Sequence, residues 1–216
     1  MATAEPFLPQ VLDISSLQSA ARLCQGCPLY ERATQTVFGE GPAHARVMLV
    51  GEQPGDQEDR QGRPFVGNAG KLLDKALEEA GLDRSEIYVT NAVKHFKWEE
   101  RGKRRIHKKP NSEEIDACRP WLEAEIAVVK PEVIACLGAT AAQCLMGRAF
   151  RVTADRGKFF ESRWTPYLTA TVHPSSLLRI RVEADRNREY QSFVSDLEGI
   201  GKKLIEIGSG SRRRKR

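Results

Sequence analysis

The chain has 216 residues, a formal net charge of +5 and five cysteines. It is long enough for one well-buried domain, and no linker rich in Pro, Gly or Ser divides it. No apolar run could span a bilayer and no secretory segment opens the sequence, which excludes membrane and exported classes. We predict a single cytoplasmic, monomeric domain over residues 1–216 with no membrane partner and with flexible ends at 1–10 and about 207–216.

Two features of the composition, the basic segments and the cysteines, bear on what the protein binds. Lys and Arg concentrate at 101–109 and 212–216, which favours a polyanionic partner. Cysteines of an intracellular chain rarely form disulfides, so these five indicate packing, redox chemistry or metal binding.

The N-terminal part of the chain combines a short helix with two cysteines. Ser15 or Ser16 can cap a helix that leads into Cys24 and Cys27, a CxxC pair on a turn. Such a pair by itself is compatible with metal, with redox chemistry or with structural thiols.

The stretch from 47 to 70 carries the first candidate site. The apolar run VMLV predicts a buried strand over 47–50, and GEQPG at 51–55 ends it. In open α/β sheets, ligands bind beyond the carboxyl ends of the strands, and glycines there allow close approach of the backbone. Phe65 follows in a loop, where burial alone does not require an aromatic.

The remaining predicted elements alternate between helices and strands. Apolar periodicity predicts helices over 67–82, 112–129, 139–146 and 183–205, and strands over 87–90, 133–137 and 167–172. Pro120 inside the second helix predicts a kink or two abutting helices. Cys136 and Cys144 lie on apolar elements, which favours core packing. The segment 94–110, KHFKWEERGKRRIHKKP, predicts a solvated basic loop.

This alternation predicts an α/β fold, a three-layer α/β/α sandwich with a central four-stranded parallel sheet. Every predicted strand ends in polar or Gly-rich sequence: GEQPG, TNAVK, LGAT and HPSSLLR. Because the carboxyl ends of parallel strands meet at one edge, a single crevice can collect all four.

These motifs carry a resemblance. GEQPG with RPFVGNAG, then TNAVKH, LGATAA and HPSSLLR, in this order, resemble the iron-sulfur, family 4-like branch of the uracil-DNA glycosylase superfamily. Within that branch KRRIH at 103–107 is similar to the UdgX type, whose members stay covalently attached to uracil-containing DNA. The resemblance implies the uracil-DNA glycosylase fold, a DNA repair activity and uracil-containing DNA, single- or double-stranded, as partner.

The resemblance also implies a 4Fe-4S cluster. Cys24, Cys27 and Cys118 stand where the branch has cysteine ligands, and His95 stands near the position of the fourth. Imidazole can replace thiolate on iron, as in Rieske centres. The alternative makes His95 a phosphate contact and leaves a three-cysteine zinc or unstable site. The cluster is expected to be structural.

A chemical role follows for each matched residue. Phe65 can stack on the flipped base, and the amide of Asn91 can pair with the carbonyl and N–H of uracil, which rejects cytosine. His173 is implied to donate to uracil O2 as negative charge develops on the leaving base. His107 is implied to bond to C1′ of the deoxyribose, with Glu52 orienting or accepting the imidazole proton, so that each enzyme molecule acts once.

The resemblance implies two further sets. The uracil-binding residues are Gly51, Gln53, Asp56, Phe65, Asn91 and His173. The DNA-binding residues are Lys103, Arg104, Arg105, Ser175 and Arg179, with Arg179 in the minor-groove wedge.

Alternatives stay open at this point. Spacing alone favours a phosphate contact for His107, beside Lys103, Arg104 and Arg105. The chain can instead be a turning-over uracil-DNA glycosylase that releases uracil and an abasic site, or a non-catalytic nucleic-acid-binding module with a cluster or zinc. A nucleotide-binding α/β protein is a further alternative, but GxGxxG and a P-loop are missing after the first strand.

Overall fold

The computed structural model describes residues 3–213, with side chains through residue 209. The strands in chain order are β1 Val47–Gly51, β2 Ile87–Asn91, β3 Trp98–Arg101, β4 Arg104–His107, β5 Val133–Leu137 and β6 Tyr167–Thr171. The α-helices are α1 Ile14–Ala21, α2 Asp56–Gln61, α3 Asn68–Glu79, α4 Ser112–Val129, α5 Ala139–Met146, α6 Val152–Asp155, α7 Pro174–Leu177 and α8 Glu183–Arg213.

The central sheet is parallel, with strand order β2-β1-β5-β6. The chain leaves β1 first toward one side and later returns to the other, so the order reverses between β1 and β5. In doubly wound sheets this reversal opens a crevice at the carboxyl ends of the strands. The predicted fold is therefore confirmed, and it fixes where a ligand can enter.

Helices cover both faces of the sheet because side chains of a strand alternate between faces. Val47 and Leu49 pack with α3 and α8, whereas Met48 and Val50 pack with α4 and α5. A third apolar cluster lies outside the sheet, where Cys24, Cys27 and Cys118 pack around Trp121. The chain thus has the three predicted layers and, beside them, a cysteine-lined annex.

The structure corrects three predictions of local structure. The segment 94–110 is not a loop throughout, because β3 and β4 pair as an antiparallel hairpin. Pro120 lies inside one unbroken helix, so the alternative of two abutting helices is wrong. Leu122 is buried against the sheet and Trp121 against the cysteine cluster, and together they hold this turn in place. The last helix continues to Arg213 rather than ending near 205.

The beginning of the described chain is packed on the domain. Ala4 is buried, and its N–H donates to the carbonyl of Ala117 at 2.8 Å. The predicted flexibility of the ends falls partly on residues 1–2 and 214–216, which lie outside the described residues, and it stays a prediction. Within residues 3–213, no helix combines the length and the apolar character that a membrane span requires.

Candidate active site

A cavity of ≈ 540 Å³ lies at the carboxyl edge of the parallel sheet. Each strand of the parallel sheet contributes a polar side chain to its lining within three residues of its end: Glu52, Asn91, Thr140 and His173. Such convergence of polar side chains in a crevice at the carboxyl edge of the sheet is the usual sign of an active site in this architecture.

Phe65 enters the cavity wall on a strained backbone. Its φ of 56° falls in the left-handed region, which non-glycine residues rarely adopt. Two glycines make room for it. A Cβ on Gly70 would collide with the Phe65 carbonyl, and a Cβ on Gly51 would lie 2.7 Å from Phe65 Cζ and would also strike Asn91 Oδ1. The close approach of Gly51 therefore fixes Phe65 and Asn91 side by side.

His173 stands across from Phe65, with ring centroids 6.1 Å apart and planes 26° apart. The main-chain N–H of Ser175 donates to Nδ1 of His173 at 3.2 Å. Because a backbone N–H can only donate, the neutral ring carries its proton on Nε2. Burial, with smaller contributions from His107 and Arg179, lowers the pKa of His173 to about 4, so the ring stays neutral at physiological pH.

Glu52 and His107 face each other across the cavity mouth, with Oε1 of Glu52 3.6 Å from Nε2 of His107. The other carboxylate oxygen of Glu52 accepts a hydrogen bond from the Thr140 hydroxyl. Desolvation lowers the pKa of His107 below its ordinary value; Arg179 acts in the same direction, and Glu52 opposes both. The imidazole is therefore neutral near pH 7, which is its nucleophilic form.

The hairpin that carries His107 is fastened to the loop after β1. The side-chain amide of Gln53 donates to the carbonyls of Lys97 (3.2 Å) and Lys108 (3.0 Å), one on each side of the hairpin. Arg105 pairs with Asp56 at 2.5 Å and with the fully buried Asp59 at 2.7 Å.

Three predicted site residues thus have partners within the protein. Gln53 lines the cavity, yet its amide is engaged by the hairpin rather than free for uracil. Asp56, predicted to bind uracil, pairs with Arg60 and Arg105. Arg105, predicted to bind DNA, is 15% exposed and held by carboxylates, which leaves it poorly placed for phosphate.

The other predicted DNA contacts lie on the rim of the cavity or near it. Lys103 and Arg104 are exposed around the hairpin turn. Arg179 lines the cavity and donates from Nη1 to the Ser175 hydroxyl at 3.3 Å. Its neighbour Leu178 is an exposed apolar residue.

The four predicted cluster ligands are all buried: Cys24, Cys27, His95 and Cys118. The three cysteines share the annex. Burial raises the pKa of Cys118 to about 12, and the nearby Cys27 and Cys24 add to this because neighbouring thiolates repel. Iron would reverse that direction by stabilising all three thiolates. Among residues 3–213 no group of His, Cys, Asp or Glu is spaced for one metal ion. Cluster ligands bind different irons and stand farther apart.

The hydrogen bonds of His95 define its tautomer. The Thr36 hydroxyl gives its one proton to the Ala21 carbonyl at 2.8 Å and lies 2.9 Å from Nε2 of His95. The hydroxyl must then accept from Nε2–H, which leaves the Nδ1 lone pair free. Nδ1 is buried and has no hydrogen-bond partner among the residues that the structure describes. A buried, unpartnered imidazole nitrogen suits a metal ligand, and the main-chain N–H of the adjacent Lys94 donates to Sγ of Cys118 at 3.2 Å, so these residues fit the cluster.

Two residues of the site, Thr140 and Glu58, escape prediction from sequence. Thr140, in the LGAT motif after β5, holds Glu52. Glu58 lines the cavity and accepts from the N–H groups of Gly55 (3.1 Å) and Gly67 (2.8 Å). The spacing of Gly55 and Glu58 is that of a helix N-terminal box, a local signal that could have identified Glu58.

Comparison with known proteins gives consistent matches. Residues 38–198 match the model of the uracil DNA glycosylase superfamily. The chain is 40% identical over 180 residues to a type-4 uracil-DNA glycosylase of Thermotoga maritima, a match that covers 83% of this chain and 86% of that protein. It is 38% identical over 175 residues to a type-4 uracil-DNA glycosylase of Pyrobaculum aerophilum, covering 78% of this chain and 86% of the relative.

Proposed function

The chain belongs to the uracil-DNA glycosylase superfamily, and we propose on that premise that it excises uracil from DNA as a repair enzyme. The observation that carries the proposal is the convergence of Phe65, Asn91 and His173 on one cavity. These residues supply stacking, edge pairing and a proton donor, the three contacts that a flipped uracil needs. We also propose a monomer that acts in the cytoplasm on single- or double-stranded DNA.

The residues act at different moments of the reaction. Phe65 stacks on the base, and the Asn91 amide accepts and donates along its pairing edge. As the C1′–N1 bond breaks, its electron pair moves onto uracil, and Nε2–H of His173 stabilises the negative charge at O2. Neutral His173 avoids placing a second positive charge near the cation that forms on the sugar.

The sugar cation can then be captured by water. Glu52, oriented by Thr140, accepts the proton of a water that attacks C1′, which releases an abasic site and frees the enzyme. The comparisons support this turning-over reaction better than a covalent one, because relatives that the chain matches over most of its length are type-4 uracil-DNA glycosylases.

One observation favours a second candidate, covalent capture by His107. The imidazole lies 3.6 Å from Glu52 at the same cavity. One ring nitrogen would bond to C1′ while the other loses its proton toward Glu52, and uracil leaves with the electron pair of the broken bond. The product would be a protein joined to DNA.

An SDS gel with a uracil release assay decides between the two. Covalent capture gives a shifted protein band and one uracil per protein, whereas turnover gives many uracils and no band. His107→Ser should abolish the band and permit repeated uracil release as water enters. His44→Ser, which removes an exposed histidine near the opposite edge of the sheet, is the matched control. Folded, iron-loaded protein that yields neither uracil nor adduct would refute uracil excision.

We further propose that Cys24, Cys27, Cys118 and His95 Nδ1 hold a 4Fe-4S cluster. When bound, the cluster supplies cross-links that tie the N-terminal CxxC to α4 and to the segment after β2. Purified protein should be brown and contain iron and sulfide. His95→Ala should lower the iron and sulfide content. Cys144 is a buried cysteine of the core on the sheet, and Cys144→Ser should leave both contents unchanged. A colourless, folded protein with zinc would contradict the proposal.

A further inference from the structure

A fully buried ion pair lies behind the active site, and neither of its members lines the cavity. Lys94 and Glu125 are both inaccessible to solvent, with Nζ and Oε2 2.5 Å apart. A buried ion pair rarely stabilises a protein more than apolar residues of similar shape would. Its presence needs a reason other than stability.

Every donor of the Lys94 ammonium group has an acceptor. Besides Glu125, Nζ donates to the Thr90 hydroxyl at 2.7 Å and to the main-chain carbonyl of Asn91 at 2.8 Å. An ammonium group has three N–H donors, so this environment satisfies it completely. One of the three acceptors belongs to the residue whose amide is proposed to recognise uracil.

Glu125 is equally well held. Its Oε1 accepts from the Gly39 N–H at 3.0 Å and from the Tyr88 hydroxyl at 3.0 Å, and Thr90 reaches both oxygens. Because these donors come from β2 and from the segment before β1, the carboxylate cannot shift without breaking several hydrogen bonds. The Lys94 ammonium group is therefore bound to a carboxylate whose position is fixed.

The same residue also contacts the cluster annex. The main-chain N–H of Lys94 donates to Sγ of Cys118 at 3.2 Å. Cys118 and Glu125 are two turns apart on one helix, α4, and therefore lie on the same face. The main chain and the side chain of Lys94 are thus both attached to α4.

We infer that Lys94, anchored by Glu125, is a positioning residue that holds Asn91 in register for uracil. An apolar side chain in its place would fill the space but could not bind the Asn91 carbonyl. This inference rests on the proposed uracil excision and extends it to a link between the recognition amide and α4.

The test is a double-variant cycle on protein whose iron content is measured. Lys94→Met/Glu125→Gln removes the ammonium without leaving a buried charge. The single-turnover rate of uracil excision should fall about 10- to 100-fold, the range expected for a small displacement of a recognition group. In an Asn91→Ala background the same pair of changes should cause no further loss. A purely structural role would reduce both backgrounds alike.

Tyr88→Phe is the matched control. It removes one hydrogen bond to the Glu125 carboxylate, while those from Gly39 and Thr90 and the acceptors of the Lys94 ammonium group stay in place. It should lower the melting temperature and leave the excision rate unchanged. If the double variant does not fold, Thr90→Val replaces it: the loss of the hydroxyl at constant shape should slow excision, and Thr90→Ser should restore the rate.

Two results would overturn the inference. The first is an unchanged excision rate in folded Lys94→Met/Glu125→Gln, or in folded Thr90→Val where that variant replaces it. The second is an equal loss of rate in the Asn91→Ala background. Failure of the proposed function is recognised separately, because the wild-type protein would then release no uracil.

Discussion

At the scale of single residues, the two cavity histidines are both neutral near pH 7 but differ in the chemistry that the neutral ring allows. His173 is half-buried and has a pKa of about 4, with its proton fixed on Nε2 by the Ser175 N–H. His107 is 48% exposed, and its pKa is lowered by desolvation against the opposing charge of Glu52. The first can donate to a base, and the second can act as a nucleophile only while unprotonated.

The pH dependence of the two steps should therefore differ. Because the pKa of His107 is lowered, its imidazole becomes protonated only below about pH 6.5, the reference pKa of histidine. Formation of any covalent adduct should therefore slow in acid, whereas uracil release by His107→Ser, which does not need this imidazole, should lack that acid limb. Rates measured from pH 8 to 4 on both proteins check this. The same acid limb in both would assign it to another group.

At the scale of elements, the hairpin of β3 and β4 is held to the rest of the domain by side-chain contacts. Gln53 holds its base, and Arg105 joins it to Asp56 and Asp59. Removing one partner of a buried pair is costly because the other charge loses its compensation. The hairpin should therefore depend on Arg105 far more than on its exposed cations.

Arg105→Ala should loosen the hairpin, since the fully buried Asp59 loses its guanidinium partner. Backbone amides of the hairpin should exchange with deuterium faster, and His107 should lose its alignment with Glu52. Lys103→Ala removes the same charge from an exposed position at the hairpin turn and should leave exchange unchanged. Equal exchange in the two variants would show that the ion pairs do not hold the hairpin.

At the scale of the whole molecule, a net charge of +5 and an exposed basic turn beside the cavity favour contact with the DNA backbone. This attraction comes from counterion release, so it carries no sequence information and weakens with salt. Uracil selectivity must then come from the cavity.

Lys103→Ala/Arg104→Ala should weaken binding to all DNA sequences. The slope of log affinity against log salt should become shallower by about one for each phosphate that the variant no longer neutralises. Arg46→Ala/Lys202→Ala removes two positive charges outside this hairpin and should leave the slope unchanged. Titrations at several salt concentrations provide the measurement. An unaltered slope in the hairpin variant would mean that its exposed cations do not touch phosphates.

Local patterns sufficed for the sheet. Apolar runs such as 47–50 predicted the strands because alternation and periodicity depend on neighbours in sequence. The polar strand ends predicted one crevice because parallel strands bring their carboxyl ends together. The family resemblance added the identities of Phe65, Asn91 and His173, which the structure places around one cavity.

Only the tertiary structure decided the partners of the charged residues. By sequence Lys94 opens a solvated basic segment, and Arg105 reads as a phosphate contact beside Lys103 and Arg104. In the fold Lys94 is fully buried against Glu125, 31 positions away, and Arg105 meets Asp59, 46 positions away. A charge is solvated or paired according to which distant carboxylate reaches it, and the balance of desolvation against pairing is set by packing, not by neighbours in the chain.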